Sequence, residues 1–170
     1  MDARMMTEME KRQRRCCFTG HRPEKLRCTE TDTILALESA IINAYADGYR
    51  TFLTSMARGV DIWAAEVVLR ERDAHPDMRL ICALPHPGFQ SGWEQSWRRR
   101  YEAILAVADL VKTICPTYFK GAYQRRNEWM VDHSSLVIAF FTGCPGGTAN
   151  TIAYARERGV SVRFIGEKTI

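Results

Sequence analysis

Leu136-Val137-Ile138-Ala139-Phe140-Phe141 is apolar at every position. A strand with one wet face alternates apolar and polar residues, so an unbroken run of this kind reads as a strand buried on both faces, as in a parallel sheet. On either side of it, short β-branched or aromatic runs recur, giving expected strands at 15–19, 51–54, 79–83, 110–114, 136–141 and 161–165. Between them lie stripes with helical spacing. Ile34, Leu37, Ile41 and Tyr45 form one that stops at Gly48, and Val60, Ala64 and Val67 form a second. Trp97, Tyr101, Ile104, Leu105 and Ala108 form a third, residues 122–133 a further helix, and Ile152 with Ala155 the last, before Gly159.

Strict alternation of strand and helix predicts parallel strands joined by right-handed crossovers with helices on both faces. The expected fold is therefore a single Rossmann-like, doubly wound α/β domain. With 170 residues, 46% hydrophobic and 26% charged, one core is the natural expectation. Residues 1–14 read as a flexible polar tail and 15–170 as the domain.

The formal charge of +4 is modest and comes partly from Lys11, Arg12, Arg14 and Arg15, so basicity alone does not argue for nucleic acid. The leading residues contain no apolar signal region and no later run has the length of a bilayer span, which predicts a cytoplasmic protein with no membrane partner. The six cysteines form no CxxC pair, and several sit in apolar runs where a reduced thiol packs as a small hydrophobe.

In an open parallel sheet, ligands bind beyond the carboxyl ends of the strands, so the junctions that follow each strand are the places to look for chemistry. The first carries Thr19, Gly20, His21 and Arg22; the second Ser55, Met56, Ala57, Arg58 and Asp61. The third carries Pro85 and Gln90 with Trp93 beyond, the fourth Arg126 and Asn127, and the fifth Gly146, Gly147 and Thr148 with Asn150 beyond. Pro145-Gly146-Gly147-Thr148 before a helix lets backbone N–H groups approach a phosphate or carboxylate. A plain βα turn with Thr148 as N-cap explains the same residues, and it is Arg22 and Arg58 that tip the balance toward an anion seat.

Asp61 falls in the first turn of its helix, where the dipole stabilises a carboxylate whatever its function; binding ribose hydroxyls or acting as a general base is the alternative. Trp97 and the run Arg98-Arg99-Arg100 read as core stripe and solvated face, with Glu94 placed to pair with Arg98. Trp93 is the ring placed to close over a ligand. Cys17, His21 and Cys28 lack a second ligand pair at zinc-site spacing, so no metal is expected, and no cofactor is required. Neither GxGxxG after the first strand nor GxxxxGK[ST] occurs, which disfavours dinucleotide dehydrogenases and P-loop NTPases.

Four ordered motifs resemble the YpsA-like proteins (DUF1273) of the SLOG superfamily, which also holds the DprA/Smf proteins and the LOG enzymes. They are Cys17-Phe18-Thr19-Gly20-His21-Arg22-Pro23-Glu24-Lys25-Leu26, the segment from Met56 to Glu66, the segment from Gln124 to Ser135, and the segment from Gly146 to Ala155. The resemblance implies a Rossmann-like fold, a homodimer, and binding of nucleotides or nucleotide-derived signals. Ser55 stands where the family commonly has Gly before Met-Ala, and Asn150 where an aromatic is common. The LOG enzymes, which cleave a base from a nucleoside monophosphate, carry PGGxGTxxE with a functional glutamate; here Thr151 occupies its approximate place.

The expected function is thus a sensor or sequestering module for a small anionic nucleotide-derived ligand, a nucleotide or an ADP-ribose-like molecule. The alternative is an enzyme acting on an N-glycosidic bond with Asp61 or Glu128 as acid/base, and the third is single-stranded nucleic-acid binding. Nucleic acid is the least expected partner, because the basic residues are dispersed along the chain.

Overall fold

Six parallel strands form one sheet, β1 (Arg15–Gly20), β2 (Thr51–Thr54), β3 (Arg79–Leu84), β4 (Leu110–Thr113), β5 (Leu136–Phe140) and β6 (Ser161–Ile165), in the order β4-β3-β2-β1-β5-β6. The computed structural model describes residues 4–166. The helices are α1 (Glu8–Gln13), α2 (Glu30–Ala46), α3 (Val60–Ala74), α4 (Gln95–Val107), α5 (Ala122–Asp132) and α6 (Gly147–Glu157). The predicted Rossmann-like architecture is the one observed, with element ends moved by a residue or two.

The apolar run Leu136–Phe140 explains the layering. In β5, Leu136, Ile138 and Phe140 point into one core together with residues of α2, α3 and α4, while Val137 and Ala139 point into a second core with α5 and α6. Successive strand side chains face opposite sides of a sheet, and both sides here are covered. Cys16 and Phe18 against Cys17, and Phe52 against Leu53, repeat the same division. The cysteines are free thiols, and burial raises the Cys17 thiol to about 12.

The strands β1 to β4 step outward in one direction, and β5 then returns to the other side of β1. That reversal opens a crevice between the carboxyl ends of β1 and β5, where neighbouring connections diverge to opposite faces.

The segment expected to be a flexible tail instead carries α1 among its described residues; residues 1–3, and 167–170 of the expected domain, lie outside them. Thr7 and Glu10 form a reciprocal capping box, and Arg12 Nε donates to the Ser134 carbonyl at 3.1 Å. These local polar contacts supply what an apolar pattern did not. Among the described residues no helix is long and apolar enough to cross a membrane.

Candidate functional site

A cleft of about 330 Å³ opens at the carboxyl ends of the strands, over the point where the strand order reverses. Its size is within the range of small-ligand sites. One wall comes from the end of β1 and the turn after it: Phe18, Thr19, Gly20, His21, Arg22 and Lys25. Gly20 is needed there because a Cβ would lie 2.4 Å from Val60 Cγ1, so only the missing side chain lets β1 close on α3.

His21 is buried and works as a brace. Its Nε2 accepts from the Thr142 backbone N–H at 3.2 Å and lies 3.0 Å from Thr142 Oγ1, and its ring stacks on Phe141 at 5.7 Å. The loops after β1 and β5 are thereby tied together. Cys28, the third member of the discounted zinc set, has its Sγ 3.4 Å from Thr33 Oγ1.

The loop after β2 contributes Ser55, Ala57, Arg58 and Asp61. Met56 has φ 61, the left-handed region that costs a branched or bulky residue strain, and its fully buried side chain anchors the loop in the core. The left-handed turn of this loop thus falls on Met56 and not on Ser55. Gly59, with φ 92, starts α3, and a Cβ there would meet the His21 carbonyl oxygen at 2.8 Å.

Asp61 is 3% exposed, and its Oδ1 has no hydrogen-bond partner. Burial pushes its carboxyl up to about 6, against the opposing pull of Arg126 and of hydrogen bonds from Ser55. Arg126, from α5, is equally buried; burial lowers it to about 10, with the Asp61 charge opposing. Its Nη1 donates to the Ser55 carbonyl at 2.9 Å and its Nε to Asn127 Oδ1 at 2.8 Å. The cleft floor therefore holds one buried cation beside one buried acid.

The wall from β5 is the start of α6. Gly146, φ 140, caps the helix without any side-chain hydrogen bond, so Thr148 is not the N-cap but sits inside the first turn, buried. The first amides of α6 keep no side-chain acceptor at their cap, the arrangement that suits a bound anion. A methyl group at Gly146 would lie 3.7 Å from Lys25 Nζ, so an ammonium stands beside that helix end. Arg58 lines the same cleft, with its Nη2 3.1 Å from Glu24 Oε1.

The wall on the β3 and β4 side is aromatic: Phe89, Trp93 and Tyr123. Phe89 packs edge-on against Trp93 at 5.1 Å, Tyr101 at 5.6 Å and Tyr123 at 6.4 Å.

Most residues singled out in the sequence meet at this cleft, but several do not. Met56 is in the core; Pro85 is buried, its carbonyl accepting from Cys115 N at 3.0 Å. Gln90 and Gly146 are outside the lining, Asn150 is exposed on α6, and Glu128 accepts from Gln124 Nε2 at 3.3 Å away from the cleft. Arg98 makes no ion pair with Glu94; Arg100 instead bridges Glu30 and Glu66. Phe18, Lys25, Phe89 and Tyr123 were not anticipated. Phe18 and Lys25 both lie within the motif Cys17-Phe18-Thr19-Gly20-His21-Arg22-Pro23-Glu24-Lys25-Leu26, and the aromatic residues of the third and fourth junctions are the signal for the rings.

An open parallel α/β sheet with a polar cleft at its switch point defines a domain of the Rossmann type. This chain belongs to the YpsA family, described as the YspA SLOG family, whose model matches residues 16–158. A UPF0398 protein of Halalkalibacterium halodurans is 32% identical over 126 residues, covering 72% of this chain and 67% of that protein. A UPF0398 protein of Bacillus cereus is 27% identical over 150 residues, covering 83% and 82%.

Among solved structures, DNA processing protein A (DprA) from Streptococcus pneumoniae superposes with a TM-score of 0.67 at 17% identity, over 92% of this chain. The chain spans 51% of that protein's length. DNA processing protein A from Helicobacter pylori, whose structure was described for its unique single-stranded DNA binding mode, gives 0.65 at 19% identity, over 95% of this chain and 68% of the other. At such identities the likeness establishes the fold alone.

Proposed function

We propose that this domain binds a small anionic ligand derived from a nucleotide, with its phosphate at the start of α6. The observation that carries the proposal is the helix end itself: Gly146 leaves the first amides of α6 without a side-chain cap, and Gly147 and Thr148 face the cleft alongside Arg22, Lys25 and Arg58. Helix dipole, exposed amides and charged donors all favour the same ligand charge. Asp61 and Asn127 then lie on the floor to accept and donate to sugar hydroxyls. The protein acts in this role as a sensor or sequestering module in the cytoplasm, and as a homodimer.

A second reading has a specific observation behind it. The fold resembles that of DNA processing protein A from Helicobacter pylori, described for binding single-stranded DNA, and this weighs against dismissing nucleic acid on the dispersal of basic residues. A cationic cleft with aromatic rings is also the chemistry that single strands use.

Native mass spectrometry of the freshly purified protein tests the first reading, followed by titration calorimetry with AMP and with a short oligodeoxynucleotide. A copurified mass of nucleotide size, or AMP binding that saturates at one per chain, supports the module. Tight, length-dependent oligonucleotide binding at physiological salt with no response to AMP overturns it in favour of the second.

A further inference from the structure

Nothing in the anion seat accounts for the opposite wall of the cleft. Phe89 is gripped edge-on by Trp93 and Tyr101, the latter 3% exposed, so the ring has no freedom to fold away. His86 stands edge-on to Phe89 at 6.2 Å and to Tyr123 at 5.9 Å and so links the two rings. Tyr123, 43% exposed, is backed by the Arg126 guanidinium 5.7 Å from its ring centre.

A hydrophobic core explains buried rings, and it does explain Tyr101. It does not explain a wall of rings left half open on a polar cleft, one of which is supported by a buried cation. Such a surface is built to receive a flat, polarisable partner.

Position in the sheet sets the dimension. The rings follow β3 and β4, whereas the α6 amides follow β5, and three strand spacings separate β3 from β5 in the order β3-β2-β1-β5. At about 4.8 Å per spacing, the two walls stand on strands about 14 Å apart. An inorganic phosphate or a sugar phosphate seated on α6 leaves the ring wall empty. A ligand that uses both walls carries an anionic group at one end and a planar ring at the other, and a volume of about 330 Å³ suits one such unit.

We infer that Phe89, Trp93 and Tyr123 form a nucleobase platform, and that the ligand class is a mononucleotide bound with its phosphate on α6 and its base against these rings. This rests on the proposed anion seat and adds the half of the ligand that the seat does not read. The base contributes through stacking area, so the platform discriminates nucleotides from base-free sugar phosphates more strongly than it discriminates one base from another.

The test compares AMP with ribose 5-phosphate by calorimetry on the full chain, using wild type, Tyr123→Ala and Tyr123→Phe. Tyr123 is a surface ring, so its truncation leaves the core packing in place, and circular dichroism checks this. The expected result is that wild type binds AMP at least tenfold more tightly than ribose 5-phosphate, that Tyr123→Ala loses most of that ratio with ribose 5-phosphate unchanged, and that Tyr123→Phe keeps it. Equal affinity of wild type for the two probes, or a ratio untouched by Tyr123→Ala, overturns the platform while leaving the anion seat standing. Silence of wild type toward both probes overturns the seat, and the platform with it.

Discussion

The Asp61 carboxylate and the Arg126 guanidinium are buried on the same cleft floor, and burial drives each toward its neutral form while the charge of the other resists. Burial wins at Asp61. A folded carboxyl near 6 against an ordinary value of 3.8 means that between these pH values the folded chain holds a proton that the unfolded chain has released. Stability attributable to Asp61 is therefore highest below about pH 4 and is lost as pH rises toward and past 6.

Asp61→Asn imitates the protonated side chain and removes this titration. The loss in wild type across the window is on the order of 2–3 kcal/mol, so the melting temperature of the variant relative to wild type should rise by roughly 5–10 °C from pH 4 to pH 7. Thermal melts at both pH values check it. The comparison is a difference between two conditions, so any constant cost of the amide beside Arg126 cancels. A pH-independent gap between the two proteins would contradict it.

Arg58 does not wait for an anion with its charge bare: Glu24 Oε1 lies 3.1 Å from its Nη2. An incoming phosphate competes with that carboxylate. Arg58→Ala should weaken AMP binding by about 1.5–3 kcal/mol, the scale of a charge-assisted hydrogen bond. Glu24→Gln should strengthen it by less than about 1 kcal/mol, because an exposed ion pair is worth little. Calorimetry on the two variants decides; a loss of affinity in Glu24→Gln would mean that Glu24 helps to position Arg58 rather than competing for it.

The close approach of β1 to α3 gives a stability test of the site's framework. With a Cβ at Gly20 only 2.4 Å from Val60 Cγ1, Gly20→Ala should destabilise by about 1–3 kcal/mol through overpacking. Val60→Gly removes all three clashing atoms, the Cβ at 2.5 Å included, so the double variant should be more stable than the sum of the two single changes predicts. Urea unfolding of all four proteins measures the coupling. Simple additivity would show that the loop relaxes around the new methyl.

The strands and helices were legible because continuous apolar runs and helical stripes report burial directly, as in β5, which is buried at every position; the edge strand β4 is exposed along its length and shows only as a short apolar run. The cleft was legible to the extent that a parallel sheet fixes which ends of the strands carry loops. Direction within a loop was not. Pro85 follows β3 yet turns into the interior, and Asn150 follows Gly-Gly-Thr yet faces solvent. Lys25 belongs to a 3-10 turn, Pro23–Lys25, whose path back to α6 depends on His21 bridging to Thr142, a contact 121 residues away in sequence. Helix α1 has no apolar stripe to mark it, because it is held by its cap and by ion pairs such as Glu8 with Arg15 and buries none of its own residues.

Thr151, which the resemblance to LOG enzymes sets at the approximate place of their glutamate, is 1% exposed, and its Oγ1 donates to the Gly147 carbonyl at 2.8 Å, one turn back along α6. It is spent on the helix, does not line the cleft, and has no carboxylate to move a proton. Loss of a general acid or base typically costs about 10²–10⁴-fold in rate, so adenine release from AMP should fall at least that far below a LOG enzyme assayed in parallel. Chromatography of AMP incubated with the protein measures it. Of the two carboxylates proposed as substitutes, Glu128 is away from the cleft and engaged by Gln124, so Glu128→Gln should change nothing. Asp61 differs: it lines the cleft, has an unpartnered oxygen, and is held at about 6, in the range where a carboxyl can both give and take a proton near neutrality. Base release that is robust in wild type, unaffected by Glu128→Gln and abolished by Asp61→Asn would therefore make this domain an enzyme, with the acid supplied from α3 in place of α6.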